Sequence, residues 1–83
     1  MIELKILPKF YNDILYKDKR FEVRDITDRT FRLGDLVLLR EYYNGEYTDR
    51  ECIIKIIYIL KDPKYCKDNT CIFGFELITT NQM

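Results

Sequence analysis

The run from Arg50 to Leu60 constrains the fold of this chain most. Cys52, Ile54, Ile56 and Tyr58 fall on one parity and Ile53, Ile57 and Ile59 on the other, with Lys55 the one break. Apolar residues on both parities predict a strand covered on both sides, so the chain has to build a sheet with this segment inside it. Just upstream, Tyr42-Tyr43-Asn44-Gly45-Glu46-Tyr47 predicts a tight hairpin, because both central residues of such a turn need positive φ.

The other elements arrange themselves around this core. Glu3-Leu4-Lys5-Ile6 alternates and predicts a short half-buried strand. Pro8 suits the first turn of a helix. Phe10 with Ile14 and Tyr11 with Leu15, each spaced i, i+4, give that helix an apolar stripe over residues 8–17. Arg20-Phe21-Glu22-Val23-Arg24 alternates again, which predicts Phe21 and Val23 toward the core and Arg20, Glu22 and Arg24 on the opposite, exposed face. A polar stretch follows from Asp25 to Arg32. Leu33-Gly34-Asp35 then turns into an apolar strand, Leu36 to Leu39. A loop from Asp62 to Thr70 leads to a last strand, Cys71 to Leu77, in which Gly74 marks a bulge or a close backbone approach. The final Thr-Thr-Asn-Gln-Met reads as a loose tail. The order β-α-β-β-β-β, in 83 residues, predicts a single α+β domain over 1–83, with one main helix near the N-terminus and a small, partly open barrel.

Composition limits the chemistry. The sequence has no His, which removes His-based acid/base catalysis, Ser-His and Cys-His nucleophile pairs and Cys/His zinc sites. Three cysteines and no secretory signal pattern predict reduced thiols in a cytoplasmic protein. Cys66 and Cys71 read as two unlinked thiols, with neither a metal nor a cofactor expected. No apolar stretch is long enough for a transmembrane helix, so no membrane partner is expected. Net charge is zero, but residues 1–24 carry six basic and four acidic side chains, +2, while residues 25–51 carry four and seven, −3. A balanced total therefore still permits a local basic surface.

The strongest cluster is Lys17, Lys19, Arg20, Glu22 and Arg24, where the helix hands over to the second strand. Two guanidinium groups flanking a carboxylate suit phosphate capture, with Glu22 free to steady an arginine or accept from a base amino group. Ordinary solvated charge with cross-strand ion pairs is the competing reading. Tyr42, Tyr43 and Tyr47 read either as stacking platforms or as cross-strand aromatic pairs that stabilise the hairpin, and the nearby Glu41, Glu46 and Asp49 favour the second.

Taken together, Glu3-Leu4-Lys5-Ile6-Leu7-Pro8 with Phe10, Lys19-Arg20-Phe21-Glu22-Val23-Arg24, Asp28-Arg29, Phe31, Gly34-Asp35 and Leu38-Leu39-Arg40-Glu41-Tyr42 resemble a small phage and bacterial branch of the ASCH family. The resemblance covers residues 3–60, and Phe73-Gly74-Phe75 fits that branch's last strand. It departs from the branch at Ile2, where the family has His, and at Lys17 and Arg20, where it has Gly and Thr. It implies a PUA-like mixed β-barrel with a helix packed across it, and a cleft between the first helix and the strand bearing Lys19, Glu22 and Arg24. ASCH domains are mostly proposed RNA binders, so the resemblance implies RNA or a nucleotide-like anion as partner. The ligand-binding residues expected on these grounds are Lys5, Lys9, Lys19, Arg20, Glu22 and Arg24, in a monomer or weak homodimer with no catalytic residue assigned. Another ASCH branch is an acetylcytidine amidohydrolase using a Lys, a Thr and a downstream Glu. Lys19 matches the first, Glu22 stands at the second, and the third has no counterpart of matching spacing. A small amidohydrolase for a modified nucleoside is therefore the alternative, with a phage or host protein-interaction domain, built on the apolar Ile53–Ile59 strand, as a third reading.

Overall fold

The computed structural model describes residues 1–82. Along the chain run β1 (Ile2–Ile6), α1 (Pro8–Tyr16), β2 (Phe21–Asp25), β3 (Leu36–Tyr43), β4 (Glu46–Leu60) and β5 (Thr70–Gln82). All five strands form one sheet in the order β1-β3-β4-β5-β2. β1 lies parallel to β3, and the other pairings are antiparallel. The sheet curls until its two outer strands come within side-chain reach, so that Arg24 of β2 donates from Nη2 to the Lys5 carbonyl of β1 at 2.9 Å. The fold is a mixed α+β half-barrel with a β-barrel-like core, as the element order predicts.

The helix forms where the spacing places it. Pro8 sits in its first turn, and Leu7, at the N-cap, supplies no side-chain cap. The Leu7 carbonyl instead accepts from the backbone N–H groups of Phe10 and Tyr11. Tyr11 and Ile14 are fully buried and join a core drawn from the inner face of the sheet, including Leu39, Ile54, Ile56, Phe73 and Phe75. The hairpin also follows the sequence: Asn44 and Gly45 have φ of 54° and 83°, and Tyr42 packs edge-on against Tyr47 across the strands at 5.0 Å.

Four expectations change. First, β2 presents the opposite face. Phe21 and Val23 are 51% and 54% exposed, whereas Glu22 is 6% exposed. Alternation fixes which residues share a face of a strand but not which face is inside. β2 is an edge strand, and Lys19 and Arg24 both pair with Glu22, so the inward carboxylate is compensated. Second, β4 is covered on one face. Cys52, Ile54 and Ile56 are buried, but a bulge between Ile56 and Tyr58 shifts the parity and leaves Ile57 and Tyr58 exposed. With one helix there is no second layer for the outer face. The bulge lies on β4 opposite the Gly74 segment, and Tyr58, Gly74 and Phe21 line up across three strands. Third, β5 runs beyond Leu77 to Gln82: Thr79, Thr80 and Asn81 pair with Ile53, Cys52 and Glu51. Of the expected loose tail, only Met83 lies outside the described residues. Fourth, the polar stretch from Asp25 to Arg32 hides a core residue. Phe31 is buried, with its ring 5.0 Å from that of Phe73, so the connection to β3 is pinned to the core from above.

Candidate functional site

The inward turn of β2 creates the site. α1 ends at Tyr16, Asp18 takes a positive φ of 53°, and the chain reverses into β2 with Lys19 under the helix. Lys19 Nζ lies 2.6 Å from Glu22 Oε1 and also donates to the Phe21 carbonyl. Arg24 Nε donates to the other carboxylate oxygen, Oε2, at 3.0 Å. Glu22 thus holds one cation on each oxygen, with a lone pair still open on each. Above it is a small cleft of about 170 Å³ lined by Phe10 of α1, Lys19, Phe21, Glu22 and Val23. Its walls are aromatic and aliphatic, and Lys19 and Glu22 of the ion network border it, a combination suited to a planar ring with polar edges.

Arg24 also reaches past this cleft. Its Nη2 bond to the Lys5 carbonyl crosses the seam between β2 and β1, and Arg29 donates to the Glu3 carbonyl of the same edge at 3.3 Å. Two outward carbonyls of β1 that lack a neighbouring strand are therefore met by guanidinium groups. Along this seam lies a larger cleft, about 280 Å³, lined by Glu3, Leu4, Lys5, Arg24, Arg29, Arg40 and Tyr47. Four cationic side chains and one carboxylate face it. Arg40 lies 3.9 Å over the Tyr47 ring and Lys5 4.3 Å over the Tyr42 ring.

The six expected binding residues divide accordingly. Lys19, Glu22 and Arg24 come together as one network, and Lys5 lies across the seam from Arg24. Arg20 turns away: its Nη1 donates to the carbonyls of Ile14 and Lys19 at 2.9 Å each and it pairs with Asp18 at 3.5 Å, closing the C-terminal end of α1. Lys9 sits with its ammonium 4.9 Å over the Phe10 ring and takes no part in the network. Cys52, Cys66 and Cys71 are all buried free thiols.

Residues that the sequence reading did not assign complete the frame. Glu41 is 4% exposed. At the hairpin, pairing passes from Arg40–Glu51 to Tyr42–Tyr47, so three residues of β4 stand opposite Glu41 alone, and this bulge turns the ends of the strands inward. Arg50 then meets Glu41 on both oxygens, at 3.0 and 2.5 Å. Thr48 Oγ1 donates to Glu41 at 2.7 Å, and Arg50 Nη2 also donates to Asn12 of α1 at 2.8 Å. The guanidinium lies 4.6 Å over the Tyr11 ring. This network ties the helix to the hairpin and thereby fixes Phe10 over β2. A signal for it was present: Glu41 continues the parity of Val37 and Leu39, and Arg50 that of Cys52 and Ile54. Arg29 had no such signal, because the curl of the sheet is what brings it to Arg40 and Tyr47, which meet across the hairpin.

Burial beneath the helix sets the alkaline behaviour. The Tyr11 hydroxyl has no hydrogen-bond partner among the described residues, and desolvation pushes its phenol up to about 12 from 10.0. Desolvation also pushes the Cys52 thiol up to about 11 from 9.0. In the unfolded chain both groups ionise at the lower values, so the stability these two groups contribute is complete below pH 9 and declines as pH rises from 9 through 12. The urea midpoint is expected to fall steadily over that range, and Cys52→Ala is expected to delay the onset. A midpoint that stays flat to pH 11 contradicts this account.

The fold and site together define a class: an α+β half-barrel whose single helix and edge strands frame a cation-lined seam. The chain belongs to the family described as a domain of unknown function (DUF3850), whose model matches residues 1–75. No curated protein matches the chain. No helix among the described residues is long and apolar enough to cross a membrane.

Proposed function

We propose that this half-barrel is PUA-like and binds a nucleotide or a short single-stranded RNA. The observation that carries the reading is the Glu22 carboxylate, held between Lys19 and Arg24 at the border of an apolar cleft. A base placed there stacks against Phe10 or Phe21 and donates its amino group to Glu22, a geometry typical of recognition of unpaired bases. The cleft volume of 170 Å³ is below the ~300 Å³ of a drug-sized pocket, the scale of a ring system rather than a whole nucleotide. The sugar and phosphate then lie outside, toward Arg24 and Lys5.

Fluorescence anisotropy with a labelled single-stranded RNA hexamer tests the proposal. With about three phosphate contacts, log K falls against log salt with a slope of about −2, roughly a 40-fold loss between about 50 and about 300 mM salt. Glu22→Gln is expected to weaken binding about tenfold without changing that slope, because it removes a base contact and not a phosphate contact. No binding at low salt, or binding indifferent to salt, overturns the reading. Deacetylation of acetylcytidine by the wild type but not by Lys19→Ala replaces it with a catalytic one.

A further inference from the structure

We infer that the seam cleft between β1 and β2 is a second nucleotide subsite, so that the ligand is a strand of at least two linked nucleotides rather than a lone mononucleotide. The inference rests on the binding function proposed above and adds the length and chemical class of the ligand. Three observations carry it.

The first is charge. Lys5, Arg24, Arg29 and Arg40 line the seam cleft against the single carboxylate of Glu3, in a chain whose net charge is zero. Arg24 and Arg40 are held by Glu22 and Glu51 from beside the cleft. Lys5 and Arg29 pair with no carboxylate among the described residues, leaving two cations for a ligand anion. The second is an aromatic surface. The Arg40–Tyr47 stack, at 3.9 Å, stands in the cleft wall with Tyr47 45% exposed, and Tyr42 braces that ring edge-on at 5.0 Å. A base extends this stack on the side that Arg40 leaves open. The third is continuity. Arg24 joins the two clefts: its Nε holds Glu22, which lines the first, while Arg24 itself lines the second, where its Nη2 lies on the Lys5 carbonyl. A phosphodiester that meets Arg24 therefore leads one base toward Phe10 and Phe21 and the next toward Tyr47. A single nucleotide fills the first cleft and reaches only Arg24 and Lys5 of the second, leaving Arg29, Arg40 and Tyr47 unused.

Isothermal titration with cytidine monophosphate and with a cytidylyl dinucleotide that also carries one terminal phosphate tests this. The dinucleotide is expected to bind about tenfold more tightly than the mononucleotide. Tyr47→Ala and Arg40→Gln are each expected to remove that gain while weakening the mononucleotide far less, whereas Glu22→Gln weakens both ligands to the same extent. Arg29→Gln, on an exposed connection, is a further variant that does not threaten the fold, and it is expected to reduce the gain as well. Equal affinity for the two ligands, or an equal loss of both on Tyr47→Ala in a variant that still melts cooperatively, overturns the second subsite and leaves the function proposed above standing. Failure of both ligands to bind the wild type removes both.

Discussion

Glu41→Ala is expected to lower the melting temperature by about 10–20 °C, the largest stability loss available from one polar side chain in this protein. Glu41 is buried, and both of its oxygens accept from Arg50 while Oε1 also accepts from Thr48. Removing one partner of such a pair strands the other, a loss of about 3 kcal/mol or more. Here the stranded group is the Arg50 guanidinium, three-quarters covered and lying over Tyr11. Arg50→Ala is expected to cost a similar amount by stranding the carboxylate. The double variant is expected to cost clearly less than the two single losses combined, because each single change includes the penalty of an unpaired charge. Circular dichroism melts of the three variants decide the matter, and a Glu41→Ala protein that melts within about 3 °C of wild type rules out this role.

The same pair sets the acid limit. The bonds from Arg50 hold the Glu41 carboxyl below its ordinary 4.5. Its stabilising contribution is complete above that value and is lost as pH falls from 4.5 through the lower folded-state value. Glu41→Ala is therefore expected to be less stable than wild type at neutral pH, with the difference narrowing as the solution is acidified.

Arg24→Ala is expected to produce the largest loss of RNA binding, roughly 100-fold, close to 3 kcal/mol. The side chain holds Glu22, closes the seam at Lys5 and faces the cationic cleft. Arg24→Lys keeps the charge but has a single donor group, which cannot hold a carboxylate and a carbonyl in the fixed fork of a guanidinium. It is expected to recover no more than about a tenth of the lost affinity. Anisotropy with the same RNA hexamer, at one salt concentration for all proteins, makes the comparison. Wild-type affinity in Arg24→Lys shows that geometry at this position is immaterial and charge alone matters.

The sequence made the elements legible and the orientation of one of them illegible. Periodicity located α1 to within one residue at its end, and Asn44-Gly45 fixed the hairpin, because these signals are local. The face of β2 was read in reverse. Phe21 and Val23 are more apolar than their neighbours, and the pairing of Glu22 with Arg24 and with Lys19 from outside the strand compensates the charge on the face that turns inward. Phe31 escaped notice in a polar stretch because a single anchoring residue has no period. In the candidate site, Lys19, Glu22 and Arg24 lie close in sequence, so their clustering was legible. Arg40 and Tyr47 meet across the hairpin, and Arg29 joins them only because the sheet curls. Arg20 and Lys9 had the right charge, but Arg20 serves the end of the helix and Lys9 a neighbouring ring.

The strand order β1-β3-β4-β5-β2 also dictates a timetable. The two strands made first on the ribosome sit at opposite ends of the sheet, and each has a single neighbour. β1 waits for β3, whereas β2 waits for β5, which begins at Thr70. The antiparallel meander of β3, β4 and β5 is contiguous and can assemble from local contacts. The N-terminal third, which carries Lys5, Lys19, Glu22 and Arg24, closes onto both of its edges afterwards. The seam is thus expected to be the last joint of the molecule to be made, and the proposed nucleic-acid ligand, lying across it, would link the two ends of the sheet.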